Sequence, residues 1–154
     1  MRVYLGSDHA GFELKAALVA RLTAAGHQVT DCGPDSYQAT DDYPPYCIDT
    51  ARRVVADPGS LGVVIGGSGN GEQIAANKVT GVRAALCYNH ETATLARQHN
   101  DANVAGIGAR MHSEDEAIAI VEAFLATPFS QDPRHVRRIA MVAGYEQTGD
   151  LPTG

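Results

Sequence analysis

Short apolar runs and amphipathic segments alternate along the whole chain. Residues 2–7 (RVYLGS) read as a strand, and residues 11–25 as a helix with Leu14, Leu18 and Leu22 on one face. Gly26 ends that helix, because glycine accepts the left-handed cap conformation. Residues 28–32 predict a second strand, 33–40 a polar loop, and 43–56 a helix with proline in its first turn. Residues 61–66 (LGVVIG) are apolar throughout, the pattern of a strand buried on both faces. A glycine-rich turn then leads into a helix over about 72–78. Residues 82–87 and 103–108 read as strands four and five, with a helix over 91–99 between them. Ser113 and Glu116 form a capping box for a helix reaching Ala126, and Pro133 opens a last helix to about Gln147.

Strands alternating with helices predict an α/β chain. The expected form is a single-domain, doubly wound (Rossmann- or flavodoxin-like) three-layer sandwich around a five-stranded parallel sheet. The domain spans residues 1–148, and 149–154 form a flexible tail. In such sheets ligands bind at the carboxyl ends of strands where the strand order reverses. A 2-1-3-4-5 order makes strands one and three neighbours across that switch point, and their following loops hold the most chemistry: Asp8-His9 and GGSGNGE.

Composition narrows the class. A length of 154 residues, 44% of them hydrophobic, suits one core and leaves no room for a second domain. Twelve Lys and Arg against 18 Asp and Glu give a net charge of -6, which argues against a nucleic-acid partner. A few focused arginines can still bind a phosphorylated metabolite. Cys32, Cys47 and Cys87, an odd number without CxxC spacing, suggest reduced thiols. No signal-peptide layout and no membrane-length apolar run are visible, so no membrane partner and a cytoplasmic location are expected.

The glycine run is the strongest chemical signal. Gly66, Gly67, Gly69 and Gly71 leave backbone N–H groups uncovered at a helix start, a concave site for an anion. It is a poor dinucleotide fingerprint, because Glu72 stands where the third glycine belongs and would repel a pyrophosphate, and the P-loop Lys-Ser/Thr pair is missing. A carboxylate beside N–H donors suits proton abstraction next to a carbonyl, the donors facing the enediolate oxygen. Glu72 can equally be a first-turn acid that complements the helix dipole.

Asp8-His9 is either a rim pair or a loop cap. His99 is either functional or a favourable cation at a helix C-terminus. Arg110 ends strand five, while Arg134 and Arg138, four apart, share a helix face. Together with His9 they fit a phosphate clamp better than separate solvated charges. No metal site is expected, since the histidines show neither HExxH nor paired helical spacing. Ser68 lacks the elbow and triad order of a nucleophile.

The stretches GSDHAGFELK, DYPPYC, GGSGNGEQIAANK, RQHNDANVAGIGAR and RHVRR together resemble the type B ribose-5-phosphate isomerases, a family that includes hexose-6-phosphate isomerases. They span nearly the whole chain. The resemblance implies interconversion of ribose 5-phosphate and ribulose 5-phosphate without metal or organic cofactor. It implies homodimers or tetramers with sites between subunits. It assigns ring opening to Asp8 and His99, proton transfer between C1 and C2 to Glu72, and enediolate binding to Gly67, Ser68, Gly69, Asn70 and Gly71. Asn100 contacts substrate, and His9, Arg110, Arg134 and Arg138 bind phosphate. Many members have a cysteine base just before the glycine loop. Here that position is Gly66, so the chain resembles the cysteine-less subgroup with a glutamate base. Two other readings stay open. One is a six-carbon substrate such as allose 6-phosphate. The other is a nucleotide- or flavin-binding module, which the absence of Trp and the charge of Glu72 disfavour.

Overall fold

A computed structural model describes residues 1–153, and Gly154, the end of the expected tail, lies outside the described residues. Within them, β1 (Arg2–Ser7), β2 (Gln28–Asp31), β3 (Leu61–Gly66), β4 (Ala84–Leu86) and β5 (Val104–Gly108) pair in parallel as one sheet. The helices are α1 (Phe12–Ala24), α2 (Tyr43–Ala56), α3 (Asn70–Ala76), α4 (His90–Asn100), α5 (Glu114–Ala126) and α6 (Pro133–Thr148).

The strand period of two sorts the core into two layers. Val63 and Ile65 of β3 face Leu14, Leu18 and Leu22 of α1 and Val121 and Phe124 of α5. Val64, between them in sequence, joins Cys47, Ala51 and Val54 of α2 and Ala75 and Ala76 of α3 on the other side. Leu18 and Phe124 are fully buried. Removing a side chain of that size from water contributes roughly 1.5–3 kcal/mol, which is why these helices dock where they do.

The observed order is β2-β1-β3-β5-β4, which corrects the expected 2-1-3-4-5 at its last two places. Burial explains the exchange. All five residues of β5 (VAGIG) are buried, as an interior parallel strand requires, whereas β4 is three residues long and two of them are part-exposed. The short, half-covered strand takes the edge. The switch point between β1 and β3 is unaffected.

Helix α6 is the least embedded of the six α-helices. His135 is its one buried residue, while Val136, Val142 and Tyr145 are exposed.

Candidate active site

The carboxyl ends of β1, β3 and β5 lie side by side, Ser7 opposite Ile65 and Gly66 opposite Gly108. Three loops leave this rim. After β1, buried Asp8 uses Oδ1 to accept the N–H groups of Ala10 (2.9 Å) and Gly11 (3.3 Å), capping the 3-10 turn His9–Gly11. The capping role open from sequence is therefore real, and it occupies one carboxylate oxygen. The other, Oδ2, stands 3.9 Å from His9 Nδ1. His9 is held by Asp41, whose Oδ1 accepts the His9 backbone N–H at 2.8 Å and lies 2.9 Å from ring Nδ1.

After β3, Gly69 takes a left-handed φ of 81° and starts α3. A Cβ there would meet the Ile107 carbonyl carbon at 2.9 Å, so only glycine lets the loop lie this close to β5. The Ser68 hydroxyl accepts from the Asn70 backbone N–H (3.3 Å) and side-chain amide (3.2 Å), tightening the exposed part of the loop. Glu72, in the first turn of α3, is folded inward and only 4% exposed. Its carboxylate lies against Gly66, where a Cβ would fall on it. Burial pushes the Glu72 carboxyl above its ordinary range. Its own backbone N–H draws it down, the Asp8 charge raises it further, and the Gly69 N–H opposes both.

Tyr43, Gly67, Ser68, Glu72, Arg110 and Met111 line a pocket of about 450 Å³, with Tyr43 packed directly over Gly71. That volume suits a small polar metabolite. The Arg110 guanidinium and Ala10 both flank Gly67, joining the β1, β3 and β5 loops.

The remaining expected site residues are elsewhere. His99 and Asn100 end α4, and with His135 and Arg138 they line a cavity of about 460 Å³ beside β4. The His99 and His135 rings lie 4.3 Å apart, tilted by 35°, and His135 Nδ1 is 2.8 Å from the Ser130 hydroxyl. Arg134, largely exposed, has its Nε 3.4 Å from Asp132. No residue lines both cavities. One chain thus brings together Asp8, His9, Gly67, Ser68, Gly69, Asn70, Gly71, Glu72 and Arg110, and keeps His99, Asn100, Arg134 and Arg138 apart from them. A third cavity, of about 500 Å³ at the amino ends of the strands, contains Arg83 and Arg97. Both spend their donors on Asp101 and on backbone carbonyls, so they brace the α4–β5 corner.

Sequence reasoning missed Asp41, Tyr43, Met111 and His135 as members of these groups. Tyr43 lay within a stretch used for the resemblance (DYPPYC), but nothing in its spacing marked it as a pocket wall. Among the described residues Asp8, His9 and Asp41 bring possible metal-ligand atoms within 4.8 Å of one another. The Asp8 and Asp41 oxygens that accept N–H groups are already engaged.

A buried carboxylate beside a glycine turn, at the switch point of a parallel sheet, is an arrangement capable of acid–base chemistry on a small ligand. A family model described as Ribose/Galactose Isomerase matches residues 3–142. Over 152 residues the chain is 63% identical to ribose-5-phosphate isomerase B of Mycolicibacterium paratuberculosis, covering 99% of this chain and 96% of that protein. It is 59% identical to the protein of the same name from Mycobacterium tuberculosis, covering 99% and 94%. Among solved structures, ribose-5-phosphate isomerase B from Mycoplasma genitalium with bound ribulose-5-phosphate superimposes with a TM-score of 0.91 at 39% identity, covering 96% of this chain and 97% of that one. The chain belongs to the ribose/galactose isomerase family.

Proposed function

We propose that this enzyme interconverts D-ribose 5-phosphate and D-ribulose 5-phosphate, with Glu72 as the base that carries the proton between C2 and C1. The observation that bears most weight is the place of Glu72: buried, raised in proton affinity, and pressed against Gly66. A side chain at 66 and the Glu72 carboxylate would claim the same space, which supports membership of the cysteine-less, glutamate-base subgroup. The three cysteines of this chain do not compete for the role. Cys47 and Cys87 are buried, and burial raises both thiols, Cys87 to about 12. The pentose substrate is supported by the names of the relatives at 59–63% identity and by the ligand of the Mycoplasma genitalium protein.

The sugar ring opens by proton exchange with Asp8 and His99. Glu72 then removes the C2 proton, and the amides of Gly67, Ser68, Gly69, Asn70 and Gly71 face the oxygen that gains charge. Asn100 contacts the sugar, and His9, Arg110, Arg134 and Arg138 hold the phosphate. Arg134, Arg138, His99 and Asn100 cannot serve the Glu72 pocket of their own chain as it is folded here. The proposed active form is therefore a two-fold dimer, or a tetramer built from it, in which the 99–100 and α6 residues of one subunit complete the Glu72 pocket of the other. The exposed apolar side chains of α6 give that contact its driving force. Among the described residues no helix is long and apolar enough to cross a membrane, and three unpaired thiols fit the reducing cytoplasm.

Glu72→Gln tests the assignment. Turnover on ribose 5-phosphate is expected to fall by about 10²–10⁴-fold, the usual share of a general base, with substrate binding retained. Because the folded state raises this carboxyl, ionisation opposes folding above the ordinary carboxylate range, and the amide removes that penalty. The melting temperature at neutral pH should accordingly stay level or rise. Near-normal turnover removes Glu72 from the mechanism, and preferred turnover of allose 6-phosphate by the parent enzyme reassigns the substrate.

A further inference from the structure

Asp41 sits in the loop before α2, 32 residues from His9 in sequence, and its side chain is 8% exposed. Its hydrogen bonding is one-sided. Oδ1 takes both the backbone N–H and the ring Nδ1 of His9, while Oδ2 is buried with no hydrogen-bond partner. A buried carboxylate is costly unless something offsets its charge. Here the group in position to do so is the His9 imidazole. Asp8 Oδ2, at 3.9 Å from the same nitrogen, is beyond hydrogen-bond reach, and Tyr37 presents an aromatic contact to the ring at 6.5 Å.

We propose that Asp41 is a positioning residue for the reaction, orienting His9 and supplying the counter-charge that lets it donate to the substrate phosphate. The inference rests on the proposed role of His9 and adds the group behind it. An imidazole whose Nδ1–H points at Asp41 has only Nε2 left for a ligand. If the ring carries a single proton, that nitrogen is an acceptor and faces phosphate oxygens with a lone pair. A ring that donates on both sides carries two protons and a positive charge, and the Asp41 carboxylate balances it. The two hydrogen bonds that Oδ1 accepts, from the His9 amide and ring, also fix the imidazole plane, so little is lost in ordering it when phosphate arrives. The location fits, because Ala10, next to His9, and Arg110 flank the same residue, Gly67.

The test uses inorganic phosphate as competitive inhibitor of the full-length enzyme, with kcat and KM for ribose 5-phosphate measured alongside. Asp41→Ala, His9→Ala and the double variant are compared. Asp41→Ala is expected to weaken phosphate inhibition about tenfold, the worth of one charge-assisted hydrogen bond, and to raise KM more than it lowers kcat. In the His9→Ala background the same change should have no further effect, because a residue that acts only through His9 has nothing left to act on. Asp41→Asn keeps an acceptor oxygen for the ring and should recover part of the loss; it also replaces the alanine variant if that one does not fold. Unchanged phosphate inhibition in both Asp41 variants, or effects of Asp41→Ala and His9→Ala that simply add, would overturn the proposal while leaving His9 as a phosphate ligand. Unchanged inhibition in His9→Ala would overturn both.

Discussion

Replacing Gly66 by alanine adds one methyl group and should disable the enzyme without unfolding it. Gly66 is the last residue of β3 and does not have a positive φ, so alanine suits the backbone there. The cost falls on what the methyl meets. Of the Glu72 carboxylate atoms that an alanine Cβ would meet, even the farther oxygen lies at 2.7 Å, and it would need to retreat by about 0.7 Å to reach ordinary contact. The nearer oxygen must move further, so the carboxylate as a whole is displaced on the order of 1 Å. A shift of that size in a reacting group can cost about 10²-fold, and complete removal of the base about 10²–10⁴-fold. Turnover of Gly66→Ala is therefore expected to fall by at least about 10²-fold, while the far-ultraviolet circular dichroism stays unchanged and the melting temperature shifts little. The carboxylate is the tip of a flexible side chain, so the fold yields there easily. The decisive comparison is with Glu72→Gln: once the base is gone, displacing its side chain has nothing to remove, and the double variant should be no slower than Glu72→Gln alone. Gly66→Ala with near-parental kcat, or a double variant slower by the product of both factors, would refute the reasoning.

Because burial raises the Glu72 carboxyl and the base must be ionised to act, kcat is expected to fall as pH drops through that raised value, above the usual glutamate range of about 4.3; a pH profile shows it, and an unchanged acid limb in residual Glu72→Gln activity would assign the limb elsewhere. Iodoacetamide should leave activity nearly intact, because Cys47 and Cys87 are buried and burial also raises the part-exposed Cys32 thiol. Mass spectrometry should find Cys32 as the first site modified, and substrate-protected inactivation would contradict the Glu72 assignment. Mixing Glu72→Gln with His99→Ala under subunit exchange should restore activity, up to about one intact site per mixed dimer. No recovery, with exchange verified by native mass spectrometry, would place both residues in one chain's site.

Much of the fold could be read from local pattern. The limits of β1, α2 and β3 match the expected ones, and the Ser113–Glu116 capping box forms, with Glu116 N–H to Ser113 Oγ at 3.3 Å and Ser113 N–H to Glu116 Oε2 at 2.9 Å. Helix α3 begins at Asn70 rather than Glu72, since Gly69 in the left-handed region already serves as its cap. The order of β4 and β5 was not legible from adjacency along the chain. It depends on which strand can be buried on both faces, and the contrast between VRAALC, with its arginine, and VAGIG was the available signal. In the site, Glu72 and the glycine turn stood out because acid and donors are neighbours in sequence. Asp41 did not, because its meaning comes entirely from a contact across 32 residues.

The division of the expected site between two cavities follows a division of charge. Around the Glu72 pocket and its rim stand Asp8, Asp41 and Glu72, with Arg110 as the one guanidinium among the residues named there and His9 already engaged by Asp41. A sugar phosphate would bring about two further negative charges to this half. Left alone, it is poorly matched to the substrate it is proposed to bind. The other group is the reverse: Arg134 and Arg138 lie on α6 with Arg137 between them, His99 is nearby, and Asp132 is the acid at the helix start. Opposite charges on two patches of one surface are what a two-fold interface can use, since each patch then meets its complement twice. A shared site would thus put phosphate between Arg110 of one subunit and Arg134 and Arg138 of the other. Where those guanidiniums stand relative to Glu72 matters for the chemistry. A guanidinium held against the Glu72 carboxylate would favour its charged form and weaken it as a base, whereas burial against Gly66 works in the opposite direction.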